Sequence, residues 1–238
     1  MSIVNRQELK YFIKKTDLPL ITAFLESALI KDFYSTNSSY KISSLYFDTI
    51  TDDDFVQKLD GIMYREKYRI RIYNDDLHTA KFEIKRKLNN CIQKISSKIV
   101  KVDVENIYYG DYSPLEKYEN IEYVSHRMAY LCYQPINIVT YDRKAYLLPI
   151  NNIRVTIDSN LRTHGFHTDL SDLENLPVTN IQKNGLDILE IKYENSLPSF
   201  ITDFLSSFKA VRSSVSKYAL SRVDSNTEIH GDDPVIPF

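Results

Sequence analysis

The sequence predicts an α+β fold: a mainly antiparallel β-sheet, closed into a β-barrel around a cationic interior and flanked by α-helices. Three observations predict it. About eight segments alternate apolar and charged residues with the period of two that places successive side chains on opposite faces of a strand. On four of them Arg and Lys dominate the charged face, where a solvated face would carry mixed signs with Ser, Thr, Asn and Gln. Helical segments stand between the strands and can cover their apolar faces. Most strands adjoin another strand or a short helix, which suits antiparallel pairing. Closing such a sheet turns the charged faces inward.

The elements follow in order. RQELKYFI sets Glu8 and Lys10 on one face. Residues 17–31 open with Asp17 and Pro19, which suit a helix start, and space Leu20, Ala23, Phe24 and Ala28 as one helical face. YKISSLYFDT, residues 40–49, reads as a strand, and TDDDFVQKLDG as a helix with acids at its start and Gly61 at its end. YREKYRIRIY, residues 64–73, shows the alternation most plainly, with Arg65, Lys67, Arg69 and Arg71 against Tyr64, Tyr68, Ile70 and Ile72. TAKFEIKRKL sets Lys81, Glu83, Lys85 and Lys87 against Phe82, Ile84 and Leu88. CIQKISSKIVKV is a weaker strand, with Lys94 as its main charge. Residues 114–131 read as one helix from Pro114 to Leu131. NIVTYDRKAYLL joins Tyr141 and Arg143 on one face, NIRVTIDS joins Arg154, Thr156 and Asp158, and DILEIKYE joins Glu190 and Lys192. LPSFITDFLSSFKAV reads as a helix after Pro198, and VSKYALSRV as a second short one. No linker, repeat or low-complexity segment interrupts the chain, so residues 1–224 are expected to form a single domain and 225–238 an irregular tail.

Composition narrows the function classes. The chain of 238 residues has 30 Lys and Arg against 32 Asp and Glu, a net charge of −2, so a cationic site must come from segregated charges and not from excess. Its two cysteines offer no disulfide framework, and no apolar run approaches the roughly 20 residues that span a bilayer. A soluble, cytoplasmic protein is expected. Most of the 18 tyrosines fall on apolar strand faces, which argues against a nucleic-acid surface with exposed stacking rings. His126, His164, His167 and His230 show no metal-ligand spacing and are expected at the surface.

Taken in order, R-x-E-x-K-Y, S-L-Y-F-D-T, K-L-D-G with R-x-K-Y-R-I-R-I-Y, F-E-I-K-R-K, Y-D-R-K-A-Y, R-V-T-I-D, I-L-E-I-K-Y-E and S-V-S-K-Y resemble the VTC domain. This is the polyphosphate polymerase domain of the triphosphate tunnel metalloenzyme, or CYTH-like, superfamily. The resemblance runs from about residue 5 to about residue 222, and is to the compact stand-alone bacterial form. It implies a closed antiparallel tunnel that binds ATP phosphates with a divalent metal, Mn²⁺ or Mg²⁺. It also implies transfer of the terminal phosphoryl group to a growing polyphosphate chain. The chemistry agrees, because phosphoryl transfer needs positioning, charge neutralisation and a metal more than covalent help.

Position by position, the resemblance implies phosphate-binding or catalytic cations at Lys10, Arg69, Arg71, Lys85, Lys94, Arg143, Arg154 and Lys217. It implies neutral phosphate contacts at Tyr141 and Ser216, and a metal-binding carboxylate at Glu190. Glu8, in an E-x-K pattern of the wider superfamily, is a second metal candidate. Against Glu8, Glu83 and Glu190 these cations leave a strong positive excess, so a polyanion is expected as partner of the cationic faces. Lys67, Lys81 and Lys87 are expected to face solvent, with a place at a tunnel mouth as the alternative, and Asp48 is expected to be structural rather than catalytic. Three readings compete: an ATP-dependent polyphosphate polymerase, a triphosphatase acting on inorganic triphosphate or nucleoside triphosphate, and a non-catalytic polyphosphate-binding module. The sequence does not specify a membrane protein that would take up the product.

Overall fold

The computed structural model describes residues 6–35, 39–88, 91–182, 185–208, 211–213 and 215–222. The expected tail, 225–238, and His230 lie outside the described residues. The chain runs β1 (Arg6–Ile13), α1 (Leu18–Ala28), β2 (Ile30–Lys31), β3 (Tyr40–Thr49), α2 (Asp53–Leu59), β4 (Tyr64–Tyr73), β5 (Asp76–Leu88), β6 (Cys91–Lys98), α3 (Lys101–Tyr108), α4 (Tyr123–Tyr130), β7 (Tyr133–Leu148), β8 (Ile153–Thr163), β9 (Thr179–Asn180), β10 (Asp187–Glu194), α5 (Ser199–Ser207), β11 (Val211–Arg212) and α6 (Lys217–Arg222). The class is α+β as the sequence predicts, and the strand pairs resolved residue by residue are antiparallel.

Two compact units divide the chain. Among the described residues, one holds those within 6–41, 141–161 and 181–215, the other those within 42–140, 162–180 and 216–222. In the first, β11, β1, β10, β8 and the second half of β7 are neighbours in that order, and β2 pairs with β7. The apolar faces of its strands supply Ile13, Tyr146, Ile153, Val155, Ile157, Leu189, Ile191 and Tyr193 to one core, which Ile21 and Leu25 of α1 and Ile201 of α5 close. Phe24 of α1 stacks on Phe204 of α5 with ring centres 3.5 Å apart.

In the second unit the first half of β7 is followed by β3, β4, β5 and β6. Tyr68, Ile70 and Ile72 of β4 and Ala80, Phe82 and Ile84 of β5 enter its core, covered by Val104 and Ile107 of α3 and by Val124 and Met128 of α4. One-faced burial of this kind pins register, because a slip of one residue would turn every core side chain to the opposite face. The β4–β5 hairpin turns at Asn74 and Asp75, both at positive φ (52° and 56°), the pair of left-handed residues that a tight two-residue hairpin needs. Asn151 and Asn152 take positive φ between β7 and β8 as well. Asx side chains thus stand in for glycine in a chain with five glycines.

Three local expectations are corrected. Residues 101–102, read as the end of a strand, open α3, which the apolar run of the segment disguised. The single helix expected from Pro114 to Leu131 is a 3-10 turn at Ser113–Lys117 followed by α4, because Tyr118 is extended and Asn120 left-handed (φ 70°). His164, expected at the surface, is buried, with its Nε2 3.2 Å from Thr140 Oγ1.

Asp48 is structural, as expected, and fully buried. Its carboxylate accepts the backbone N–H groups of Thr49, Asp54 and Phe55, the last two in the first turn of α2, and the hydroxyl of Tyr218 in α6. It does the capping that Asp52, itself without a side-chain cap bond, does not. Asp48→Ala is expected to cost about 3 kcal/mol and Tyr218→Phe about 1 kcal/mol, measured by denaturant unfolding, since the first orphans several buried donors and the second removes one bond. Equal losses in the two variants would contradict this assignment.

Candidate phosphate-binding site

The charged face of the second unit is set by register. Arg69 stands opposite Tyr46 on β3 and Glu83 on β5, and Glu83 opposite Ser96 on β6. Arg71 stands between Ser44 and Lys81. Lys67, Lys85 and Lys94 form a lateral row across β4, β5 and β6.

Glu83 is the centre of this face. Its side chain is 2% exposed. Oε2 accepts from Arg69 Nε at 2.8 Å and lies 2.7 Å from Arg69 Nη2 and 3.7 Å from Arg71 Nη1. Oε1 binds the Lys94 ammonium. Arg69 also donates to the Tyr46 hydroxyl at 3.1 Å, and Arg71 Nε to Ser44 Oγ at 3.4 Å. Burial alone would raise the Glu83 carboxyl, but Arg69, Arg71 and Lys94 hold it well below the usual carboxylate range. Burial, with Arg71 and Arg69 close by, brings Lys94 down to about 8 against the opposing pull of Glu83. The structure therefore unites Arg69, Arg71 and Lys94 around one shared counter-charge. Lys85 adjoins them in register with its side chain exposed. Ser216 and Lys217 start α6, where the Ser216 hydroxyl accepts the Ala219 N–H at 3.4 Å.

Lys67 departs from expectation. Its Nζ is enclosed, without a hydrogen-bond partner among the described residues, and sits 4.6 Å above the centre of the Tyr218 ring. The alternation placed it on the charged face correctly; solvent does not reach its amine because α6 lies over it. Lys81 and Lys87 are partly exposed.

The first unit carries its own charged cluster. On β1 and β10, Glu8 faces Lys192 and Lys10 faces Glu190, a checkerboard in which each charge lies beside its opposite. Lys10 Nζ is 2.7 Å from Glu8 Oε1 and donates to the Val215 carbonyl at 3.0 Å. Lys192 Nζ is 2.6 Å from Glu190 Oε1. Burial would lower the Lys10 ammonium, but Glu190 and Glu8 keep it above its ordinary value. Arg143, buried with its guanidinium 5.3 Å from the Tyr141 ring centre, makes a two-pronged contact with Asp158, Nε–Oδ1 2.6 Å and Nη2–Oδ2 2.7 Å. Tyr141 is itself buried in the sheet. Arg154 donates to Asp32 at 3.0 Å and to the Tyr40 hydroxyl at 3.2 Å.

Sequence reasoning counted Glu8 and Glu190 but not Asp158 or Asp32. Asp158 shares the face of Arg154 in NIRVTIDS and could have been counted, whereas Asp32 reaches Arg154 through the chain fold and left no local signal.

The carboxylates of the first unit are oxygen donors of the kind that hard divalent metals take. Among the described residues no group of three or more His, Cys, Asp or Glu is placed to hold a metal ion. Glu190 and Glu8 supply carboxylate oxygens, and the buried Thr156 hydroxyl, in register with Glu190, has no partner among the described residues. One or two carboxylates completed by substrate oxygens is the ordinary mode of Mg²⁺ binding.

The architecture is similar to that of a candidate adenylate cyclase from Vibrio parahaemolyticus, 12% identical, with a TM-score of 0.50 over 92% of this chain and 98% of that one. A candidate adenylate cyclase from Bacillus halodurans (12% identity, TM-score 0.46, 87% of each chain) and the Mimivirus capping enzyme triphosphatase (13%, 0.39, 85% of this chain and 87% of that one) also match. At 12% identity the likeness to the Vibrio protein is one of fold. The chain belongs to the VTC domain family, whose model matches residues 5–223. No curated protein matches the sequence. No helix among the described residues is long and apolar enough to cross a membrane.

Glu83→Gln keeps the shape of the cluster and leaves Arg69, Arg71 and Lys94 without their counter-charge. It should lower unfolding stability by about 2–4 kcal/mol at neutral pH and low salt. The Glu83 carboxyl lies below its unfolded value, so its stabilisation is present above about pH 4.5 and is lost as pH falls towards the folded value. The loss of stability on acidification should therefore be shallower in Glu83→Gln than in the parent. Superimposable pH profiles in calorimetry would count against the central role of Glu83.

Proposed function

We propose that this protein is an ATP-dependent polyphosphate polymerase that transfers the terminal phosphoryl group of ATP to a polyphosphate chain. The observation that carries the reading is the gathering of Arg69, Arg71, Lys85 and Lys94 on one sheet face of a chain whose net charge is −2. Membership of the VTC family supports it.

In this reading the guanidinium forks of Arg69 and Arg71 bind phosphate oxygens in pairs, and Lys85 and Lys94 act as point charges along the chain. Glu83 aims the Arg69 fork and keeps the empty face from repelling itself. In the first unit Lys10, Arg143 and Arg154 bind phosphate oxygens, with Asp158 fixing the plane of Arg143. Ser216 and Lys217 add a hydroxyl and an ammonium. Glu190, with Glu8 and Thr156, would hold Mn²⁺ or Mg²⁺, which supplies neutralisation of phosphoryl oxygen charge when bound. The acceptor phosphate is already anionic at neutral pH, so the protein's part is to align two polyanions and to exclude water.

The test is product analysis after incubation with ATP and Mn²⁺ or Mg²⁺, by gel and by orthophosphate release. Long polymer is expected. Orthophosphate without polymer would make the protein a triphosphatase with water as acceptor, and tight binding without turnover would make it a polyphosphate-binding module. Glu190→Gln separates binding from chemistry. Turnover should fall by orders of magnitude and require far more Mn²⁺, while metal-free tripolyphosphate binds as well as or better than to the parent, because one opposing charge is gone. Parent-like turnover with an unchanged metal midpoint would remove Glu190 from the site.

A further inference from the structure

The row Lys67–Lys85–Lys94 sets three cations side by side on neighbouring strands, an arrangement that is destabilising when all are charged. Lys94 is relieved by Glu83. Lys67 is placed differently. Its Nζ is shut from solvent, lies over the Tyr218 ring, and makes neither a hydrogen bond nor an ion pair among the described residues.

The charged groups acting on it come from the elements packed around it: Asp54 and Lys58 from α2, Asp48 from β3 and Arg65 from its own strand. Asp48 is committed to three backbone N–H groups and the Tyr218 hydroxyl. Asp54 is not. Its Oδ1 accepts from the Tyr133 hydroxyl at 3.0 Å, and its Oδ2 is enclosed with no partner among the described residues. An unpartnered amine and an unpartnered carboxylate oxygen thus lie enclosed in the same unit, each within the other's field. Burial brings the Lys67 ammonium down to about 7, and burial together with Asp48 pushes the Asp54 carboxyl up to about 7 against the opposing pull of Tyr133, Lys67 and Arg127 of α4.

We propose that Lys67 and Asp54 form a proton-linked anchor for the polyanion: the pair takes up a proton as phosphate binds the Arg69–Arg71 face of the same strand. The inference rests on the reading that this face binds phosphate. Lys67 is two residues from Arg69, roughly 7 Å along the strand. A negative charge at that range in a partly buried site moves a pKa by about one to two units. Above neutral pH the empty protein then holds a neutral amine, which relieves the row, and the bound protein holds an ammonium, which adds a cation only when the ligand is there to use it.

The experiment is metal-free titration calorimetry of tripolyphosphate at pH 8, in buffers of differing ionisation heat, on the parent, Lys67→Met and Asp54→Asn. The parent should take up about 0.5–1 proton more per ligand than Lys67→Met, and its affinity should fall more steeply from pH 7 to 9, by up to about tenfold per unit. Protons bound by the ligand itself or by Lys94 are common to parent and variant and cancel in the difference. Asp54→Asn removes the carboxylate that acts most strongly on Lys67, so its uptake should move to lower pH. A second measurement needs no variant: the Lys67 side-chain NMR resonances of the parent at pH 8 should shift from neutral amine to ammonium on adding tripolyphosphate. Binding with equal uptake in parent and Lys67→Met, or resonances that stay put on binding, would overturn the anchor. A parent that does not bind tripolyphosphate at all would overturn the phosphate-binding reading on which it rests.

Discussion

Like charges on one sheet face must be answered by a counter-charge, and Glu83 is that counter-charge in the β4–β6 sheet. Apolar alternation forces Arg69, Arg71, Lys85 and Lys94 to one side because Tyr68, Ile70, Phe82 and Ile84 fill the core on the other. The core fixes the register, and the register places Glu83 directly beside Arg69 and within reach of Arg71 and Lys94. One carboxylate thus serves three cations, and its loss would strip all three of that shared counter-charge.

The first unit solves the same problem by pairing. Asp158 takes two donors of Arg143, and Glu8, Lys10, Glu190 and Lys192 alternate in sign across β1 and β10. One-to-one pairing gives a more rigid and more neutral surface than sharing does. The first unit thus balances its charges by alternation of sign, and the second by sharing one carboxylate among three cations.

The strands were legible because each buries a single face, so the period of two survives in β1, β4, β5, β8 and β10. In β4 and β10 the alternation and the observed element coincide residue for residue. Helix α3 was hidden because KVDVENIY is rich in β-branched and aromatic residues, and tertiary packing of Val104 and Ile107 overrides that local preference. The candidate site was legible as a set of cations but not as a circuit. Asp32, Asp54 and Tyr218 reach their partners through the chain fold, at sequence separations that no local pattern encodes. Lys67 illustrates the limit: alternation gave its face, while the enclosure of its amine is the work of α6, about 150 residues further along the chain.

Helix α6 has only six residues, yet it is fastened at three points. Tyr218 bonds Asp48, Ser221 accepts from Asn137, and Arg222 pairs with Asp52 at 2.7 Å. Apolar packing would hold such a helix in place but let it roll about its axis. Three directional bonds, one from the first turn and two from the last residues, act as a keyed joint that permits a single angle of rotation. The azimuth of Ser216 and Lys217 is thereby machined from the opposite end of the helix.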